Sequence, residues 1–232
     1  MIRKKMRVGK YVLEDLLYYG TNCQVWRGSA DMRCYCIKIV KGREVEAALL
    51  KKIRHDNIVM LYDSFVWEEF NVLVTNFCEG ETLEQYVKRG EVMGMLQIQS
   101  IVLQLCEVLE YLHGKNKPIY YLDLKESNIM IDRLGGITLV DFGSAIEVGG
   151  SAQMILTGTS WYMPPEYRNE GKFGSYTDCF SLGRVIEKLS HLDKESSKAW
   201  AGVIKGCTRI STTKRWDVQA IKKAALKCNR YT

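Results

Sequence analysis

Two short stretches, Tyr120–Met130 and Val140–Ser144, constrain this chain more than any other part of it. The first reads Tyr-Tyr-Leu-Asp-Leu-Lys-Glu-Ser-Asn-Ile-Met and the second Val-Asp-Phe-Gly-Ser. The apolar runs Ile129–Ile131 and Ile137–Val140 between them predict a hairpin. Asp123, Lys125, Asn128 and Asp141 then fall on loops at strand ends. Carboxylate and amide oxygens are hard donors that suit a hard cation, and a lysine beside them suits a phosphate. The pattern points to a site for a metal and a phosphate.

A chain of 232 residues can bury a sizeable core, as one domain of two lobes or as two small domains. Its 47% hydrophobic and 26% charged residues are those of an ordinary globular protein. The formal charge of +6 is mild, and the basic residues are scattered over Arg3–Arg7, Lys51–Arg54 and Lys222–Lys227. They read as solvated surface, not as a nucleic-acid stripe with interleaved aromatics. No pair among the eight cysteines has Cys-x-x-Cys spacing, and no histidine stands near one in sequence, which argues against zinc. Several cysteines sit in apolar runs as small hydrophobes, which suggests a reducing compartment. The basic N-terminus is not followed by an apolar segment, and no run is long enough to span a bilayer. A cytoplasmic protein is the expectation.

Local pattern predicts the elements. Tyr11–Leu17, Gln24–Gly28, Arg33–Val40, Val59–Trp67 and Asn71–Phe77 read as strands, with Tyr18–Cys23 a turn. Arg43–Arg54 has helical period, with Val45, Leu49 and Ile53 in one stripe and Ala48 alongside. Thr82 is the expected N-cap of a helix over Leu83–Arg89. Ile98, Ile101, Val102, Leu105, Leu109 and Leu112 form a long helical stripe that ends at Gly114. Ala145–Thr157 shows no sustained period and reads as a loop. Lys38 sits between Ile37 and Ile39 in a strand, so its neighbours point to the opposite face. If Lys38 is buried, its charge needs a partner.

Taken in order, these segments resemble the protein kinase family, serine/threonine type. Asp123 to Asn128 is similar to the catalytic loop, and Asp141-Phe142-Gly143 to the Asp-Phe-Gly segment. Cys36-Ile37-Lys38 resembles the Val-Ala-Ile-Lys strand. Gly158-Thr159-Ser160-Trp161-Tyr162-Met163-Pro164-Pro165-Glu166 resembles Gly-Thr-x-x-Tyr-x-Ala-Pro-Glu, with Pro164 in place of alanine. Tyr176–Gly183 looks like the start of a helix whose Asp178 ties down the catalytic-loop backbone. Arg215 resembles the late arginine that pairs with Glu166. The resemblance covers nearly the whole chain. It implies an α+β, bilobal kinase fold in a single domain over 1–232: a β-rich N-lobe over 1–77, a hinge over 78–80 and a mainly helical C-lobe over 81–232.

The same resemblance implies the chemistry. Asp123 accepts the proton of the acceptor hydroxyl, and Lys125 stabilises the transferring phosphate. Lys38 grips the nucleotide phosphates and is held by Glu46, with Glu44 the rival partner. Asn128 and Asp141 hold Mg²⁺. ATP lies against Gly20, Val25, Cys36, Thr75, Asn76, Phe77, Cys78 and Met130. Thr159 lies in the substrate-receiving loop, and Ser144, Ser151 and Thr157 are candidate phosphorylation sites. The partners implied are ATP and a protein substrate, with no nucleic acid and no membrane segment.

Three departures stand out. Only Gly20 matches the glycine-rich loop, because the turn reads Tyr18-Tyr19-Gly20-Thr21-Asn22-Cys23. Tyr121-Leu122 replaces His-Arg, so the usual partner of a phosphorylated loop is missing and activity should not depend on such phosphorylation. Little chain separates the Asp178 helix, expected to end near Leu192, from the next helix over Lys198–Cys207, so the family's αG helix is expected to be absent. A last helix is expected over Asp217–Lys227. The alternatives are a pseudokinase scaffold or regulator and a small-molecule kinase of the aminoglycoside or choline type. Lys38, Glu46, Asp123, Asn128 and Asp141 weigh against the first, and the 159–166 stretch with Asp178 against the second.

Overall fold

The computed structural model describes residues 2–42, 45–149 and 161–228. The chain forms two compact units, Met1–Glu79 and Gly80–Thr232.

The N-terminal unit is a six-stranded antiparallel sheet with one short helix. Its elements are β1 (Arg7–Val8), β2 (Tyr11–Tyr19), β3 (Cys23–Ala30), β4 (Arg33–Lys41), α1 (Glu46–Leu50), β5 (Leu61–Trp67) and β6 (Phe70–Asn76), and the strand order is β1-β2-β3-β4-β6-β5. Strand alternation divides the residues between two faces. Trp26, Ile37, Ile39, Val72 and Val74 join Val8, Tyr11, Leu13 and Tyr35 in a buried core on one face. The register pairs Val25 with Lys38, Lys38 with Leu73, and Cys36 with Thr75, which sets these side chains together on the other face.

The helix predicted over Arg43–Arg54 is much shorter. Val45 has non-helical dihedrals and serves as N-cap, and regular helix ends at Leu50. The Arg54 guanidinium donates to the carbonyls of Leu50 at 2.8 Å and Ile53 at 2.7 Å. A basic side chain that satisfies the last carbonyls closes a helix. Ile53 is buried all the same, and the buried alanine is Ala47, not Ala48.

The C-terminal unit is mainly helical. It contains β7 (Glu81–Thr82), α2 (Leu83–Lys88), α3 (Met95–His113), β8 (Ile119–Tyr120), β9 (Ile129–Ile131), β10 (Ile137–Leu139), β11 (Ile146–Glu147), α4 (Pro165–Glu170), α5 (Ser175–Ser190), α6 (Lys194–Cys207) and α7 (Val218–Ala225). Thr82 caps α2 in a full capping box with Gln85. Every member of the predicted α3 stripe is buried, and α3 packs on α5 and α7. Gly80 is required where it stands. Its φ is +110°, and a Cβ there would lie 2.1 Å from the Ile131 carbonyl oxygen.

Only His191, Leu192 and Asp193 separate α5 from α6, so no helix intervenes. Asp193 caps α6, which starts four residues before the predicted Lys198. Arg215 makes a two-pronged ion pair with Glu166, at 2.5 and 3.1 Å, and its side chain is fully buried. It also donates to the carbonyls of Tyr176 and Arg209, tying α4 and the start of α5 to the segment before α7.

Candidate active site

In the C-terminal unit the hairpin β9–β10 brings the two motifs to one end. Leu139 pairs with Ile129, and Val140 N donates to Asn128 O at 2.9 Å, so Asn128 and Asp141 flank the same hairpin terminus. Upstream, the Asp123–Asn128 loop closes on itself. Lys125 Nζ lies 2.8 Å from Asp123 Oδ2. The Asn128 amide donates to Asp123 O at 2.9 Å and to Oδ2 at 3.0 Å.

The loop is anchored from below. Asp178 is fully buried at the start of α5 and accepts from Tyr121 N at 3.0 Å and Leu122 N at 2.8 Å. His113 Nε2, at the end of α3, lies 2.8 Å from the same carboxylate. The buried Tyr121 ring meets Phe142 edge-to-face at 5.0 Å, and its hydroxyl donates to Val140 O. These contacts hold two strained residues. Leu122 and Asp141 have φ of 65° and 60°, a region that non-glycine residues enter at a cost and that clusters at functional sites.

The electrostatics follow from this packing. Burial raises the Asp123 carboxyl above the usual carboxylate range, and the nearby Asp141 adds to the shift. The Lys125 and Asn128 contacts oppose it. Asp141 is exposed, and its Oδ1 accepts from Gly143 N at 3.2 Å. Asn128 spends its N–H on Asp123, which turns its amide oxygen away from that carboxylate. The donors on the two residues are hard oxygens, the type that suits Mg²⁺.

The N-terminal unit holds its own pair. Lys38 Nζ lies 2.6 Å from Glu46 Oε2, with Glu46 only 5% exposed. Glu44 lies outside the described residues, as do Ser151, Thr157 and Thr159. Cys36, on the same sheet face as Lys38, has its thiol pushed up to about 11 by burial. Gly20 makes a tight turn, with its N–H donating to Cys23 O at 2.8 Å. Thr75, Asn76, Phe77 and Cys78 follow one another out of β6. Asn76 is tied to the Met60 backbone in both directions, and the Arg27 guanidinium lies 5.4 Å from the Phe77 ring centroid. Met130 lies in β9, opposite Thr82 and Thr138.

One contact had no sequence signal. Glu126, in the turn between Lys125 and Asn128, is 3% exposed, and its Oε2 accepts from the Tyr162 hydroxyl. Burial raises its carboxyl, against the pull of that hydrogen bond. A charged residue in a loop reads as solvated, and nothing in the local pattern marks it as buried.

The protein kinase domain family matches residues 19–194. The chain therefore belongs to the protein kinase family, and its relatives place it with the serine/threonine type. It is 36% identical over 156 residues to serine/threonine-protein kinase 36 of Pongo abelii, covering 66% of this chain and 12% of that protein. It is 29% identical over 197 residues to serine/threonine-protein kinase ULK3 of Homo sapiens, covering 78% of this chain and 41% of the relative. Against serine/threonine-protein kinase Nek3 of Mus musculus the identity is 29% over 164 residues, 68% of this chain and 32% of the relative. The chain thus spans well under half the length of these relatives. No helix among the described residues is long and apolar enough to cross a membrane.

Proposed function

We propose that this chain, folded as one kinase domain over 1–232, transfers the γ-phosphoryl group of ATP to serine or threonine hydroxyls of a protein. The observation that carries the reading is the Asp123 carboxylate. It is desolvated, held above the usual carboxylate range by burial, and aimed by Lys125 and Asn128 on a loop clamped by Asp178. As the acceptor oxygen bonds to the γ-phosphorus and the bond to ADP breaks, Asp123 takes the hydroxyl proton. Lys125 offsets negative charge on the transferring group. Asp141 and the Asn128 amide oxygen would hold Mg²⁺, which neutralises nucleotide phosphate charge when bound. Lys38, fixed by Glu46, binds the nucleotide phosphates, and Gly20, Val25, Cys36, Thr75, Asn76, Phe77, Cys78 and Met130 contact the nucleotide. Thr159 belongs to the loop that receives the substrate. The eight free cysteines, four of them buried, support a cytoplasmic setting.

The test is incubation of the purified chain with ATP and Mg²⁺ and a protein or peptide panel, read by intact mass. Phosphate incorporation should vanish in Asp123→Asn while nucleotide binding persists. Equal incorporation in that variant overturns the assignment of the base.

One observation favours a catalytically silent scaffold instead. At the tip of the β2–β3 hairpin the Tyr18 ring folds onto the one matching glycine, with its hydroxyl 2.8 Å from where a Cβ of Gly20 would stand. A thermal shift with nucleotide, with and without Mg²⁺, set beside the turnover assay separates the two. Binding without turnover supports the scaffold.

A further inference from the structure

We propose that the edge of the N-terminal sheet, formed by β1 and the turn before it, docks on an anionic lipid bilayer. Such docking needs no phosphoryl transfer. The net charge of the chain is concentrated there. Arg3, Lys4, Lys5, Arg7 and Lys10 all lie within residues 1–13, which contain no acidic residue. The remainder of the chain holds 28 basic against 27 acidic residues, so this stretch supplies five of the six net charges. A charge imbalance confined to one short stretch points to a polyanionic partner.

The stretch is folded, not a loose tail. All five basic residues are exposed, whereas Ile2 and Met6 pack against the sheet core and Val8 belongs to it. The backbone is tied at three points. Met6 N donates to Arg3 O at 3.2 Å, Lys5 N to Leu13 O at 2.7 Å and Leu13 N to Met6 O at 2.9 Å. Lys5 takes the third position of the turn over 3–6 with φ of 65°. Glycine or asparagine is the usual occupant of such a position, and a residue with a longer side chain enters it at a cost. An exposed lysine kept in a strained conformation is a feature that stability alone does not select. Among the described residues only Lys4 of the five has an acidic partner, Asp15 at 2.7 Å, while the adjacent Glu14 is engaged by Arg27 at 3.4 Å. The mutual repulsion of the other four is relieved by an outside anion. β1 is an edge strand, so cations on both of its sides can be approached from one direction.

Three features favour a bilayer over other polyanions. The one aromatic residue of the stretch, Tyr11, is 2% exposed, so it offers no platform on which bases could stack. β1 is two residues long, too short an edge to pair with the strand of an acidic peptide. Attraction to an anionic membrane needs only cations near its surface, each acting separately, and the cytoplasmic leaflet, which a chain in the proposed cytoplasmic setting would meet, is the anionic one.

The experiment is co-sedimentation of the full chain with vesicles of equal parts phosphatidylserine and phosphatidylcholine at about 0.1 M salt, where charges within roughly 10 Å still act. Binding is expected there and not with phosphatidylcholine alone, and it should disappear at about 1 M salt. Lys5→Gln should weaken the partition about fivefold, the scale of one cation at an anionic surface. Changing Arg3, Lys5, Arg7 and Lys10 together to Gln should weaken it by about a few hundredfold. Lys5→Gly relaxes the turn, so it folds at least as well as the native chain, and it should show the same fivefold loss. Lys205→Gln removes one exposed cation from α6 in the other unit and should leave the partition unchanged. Absence of binding to the anionic vesicles, equal binding to the neutral ones, or an equal loss in Lys205→Gln and Lys5→Gln overturns the docking surface. Tighter binding to a nucleic-acid duplex or to polyglutamate, at matched charge concentration in the same salt, also overturns it and gives the cations a different partner.

Discussion

Asp178→Asn tests whether the catalytic loop is held by a buried charge. The substitution keeps the shape but replaces one carboxylate oxygen by an NH₂ donor. In the native chain both oxygens accept backbone N–H groups, from Leu122 at 2.8 Å and Tyr121 at 3.0 Å. Asparagine can accept only one of these, and the other then faces a donor. Tyr121 and Leu122 are 0% and 3% exposed, so water cannot replace the lost acceptor. Losing one charge-assisted hydrogen bond at a buried amide costs about 2–3 kcal/mol. Release of Leu122 from its left-handed backbone returns about 1 kcal/mol of that. A net loss of roughly 1–2 kcal/mol corresponds to a fall in Tm of about 2–8 °C for a chain of this size. Thermal unfolding by circular dichroism reads the loss, and amide hydrogen exchange locates it at Tyr121 and Leu122. Native-like protection of both amides in the variant would refute the anchoring role.

Three other outcomes are expected. Arg215→Ala strips the partner from Glu166 and empties a fully buried guanidinium site, so stability should fall by about 3–5 kcal/mol in urea titration, and a change within error refutes a structural role for the pair. Burial pushes the Cys36 thiol up to about 11, so little thiolate exists near neutrality; iodoacetamide mapping should label the exposed Cys34 first at pH 7, with Cys36 catching up only as pH climbs toward that value. Equal labelling at pH 7 contradicts the burial of Cys36. Leu122 is buried and offers no cation to a phosphorylated loop, so phosphatase treatment should leave turnover unchanged, and a large loss would show that some other cation reads a phosphate.

What the sequence disclosed and what it hid divide along a physical line. The α3 stripe and the Asp123–Asn128 cluster were legible because each depends on local spacing: a helical period of buried apolar residues in the first, six consecutive residues in the second. The α1 segment misled because Val45, Leu49 and Ile53 fit a helical period, although Ile53 is buried after regular helix has ended and Arg54 has closed it. Two-residue bridges such as β7, β8 and β11 carry no period at all. The left-handed backbone at Leu122 was invisible, since a leucine does not favour that region and surrounding contacts impose it; Asp141 enters it more readily, its side chain accepting locally from Gly143 N, but nothing in the sequence marked it. Glu126 was hidden for the same reason: its burial depends on Tyr162, thirty-six positions away. The sequence therefore named the groups fit for chemistry, whereas the forces that aim and desolvate them come from packing between distant segments. Asp178 bridges the two cases, because its position in the motif could be read while its three partners, spread from His113 to Leu122, required the fold.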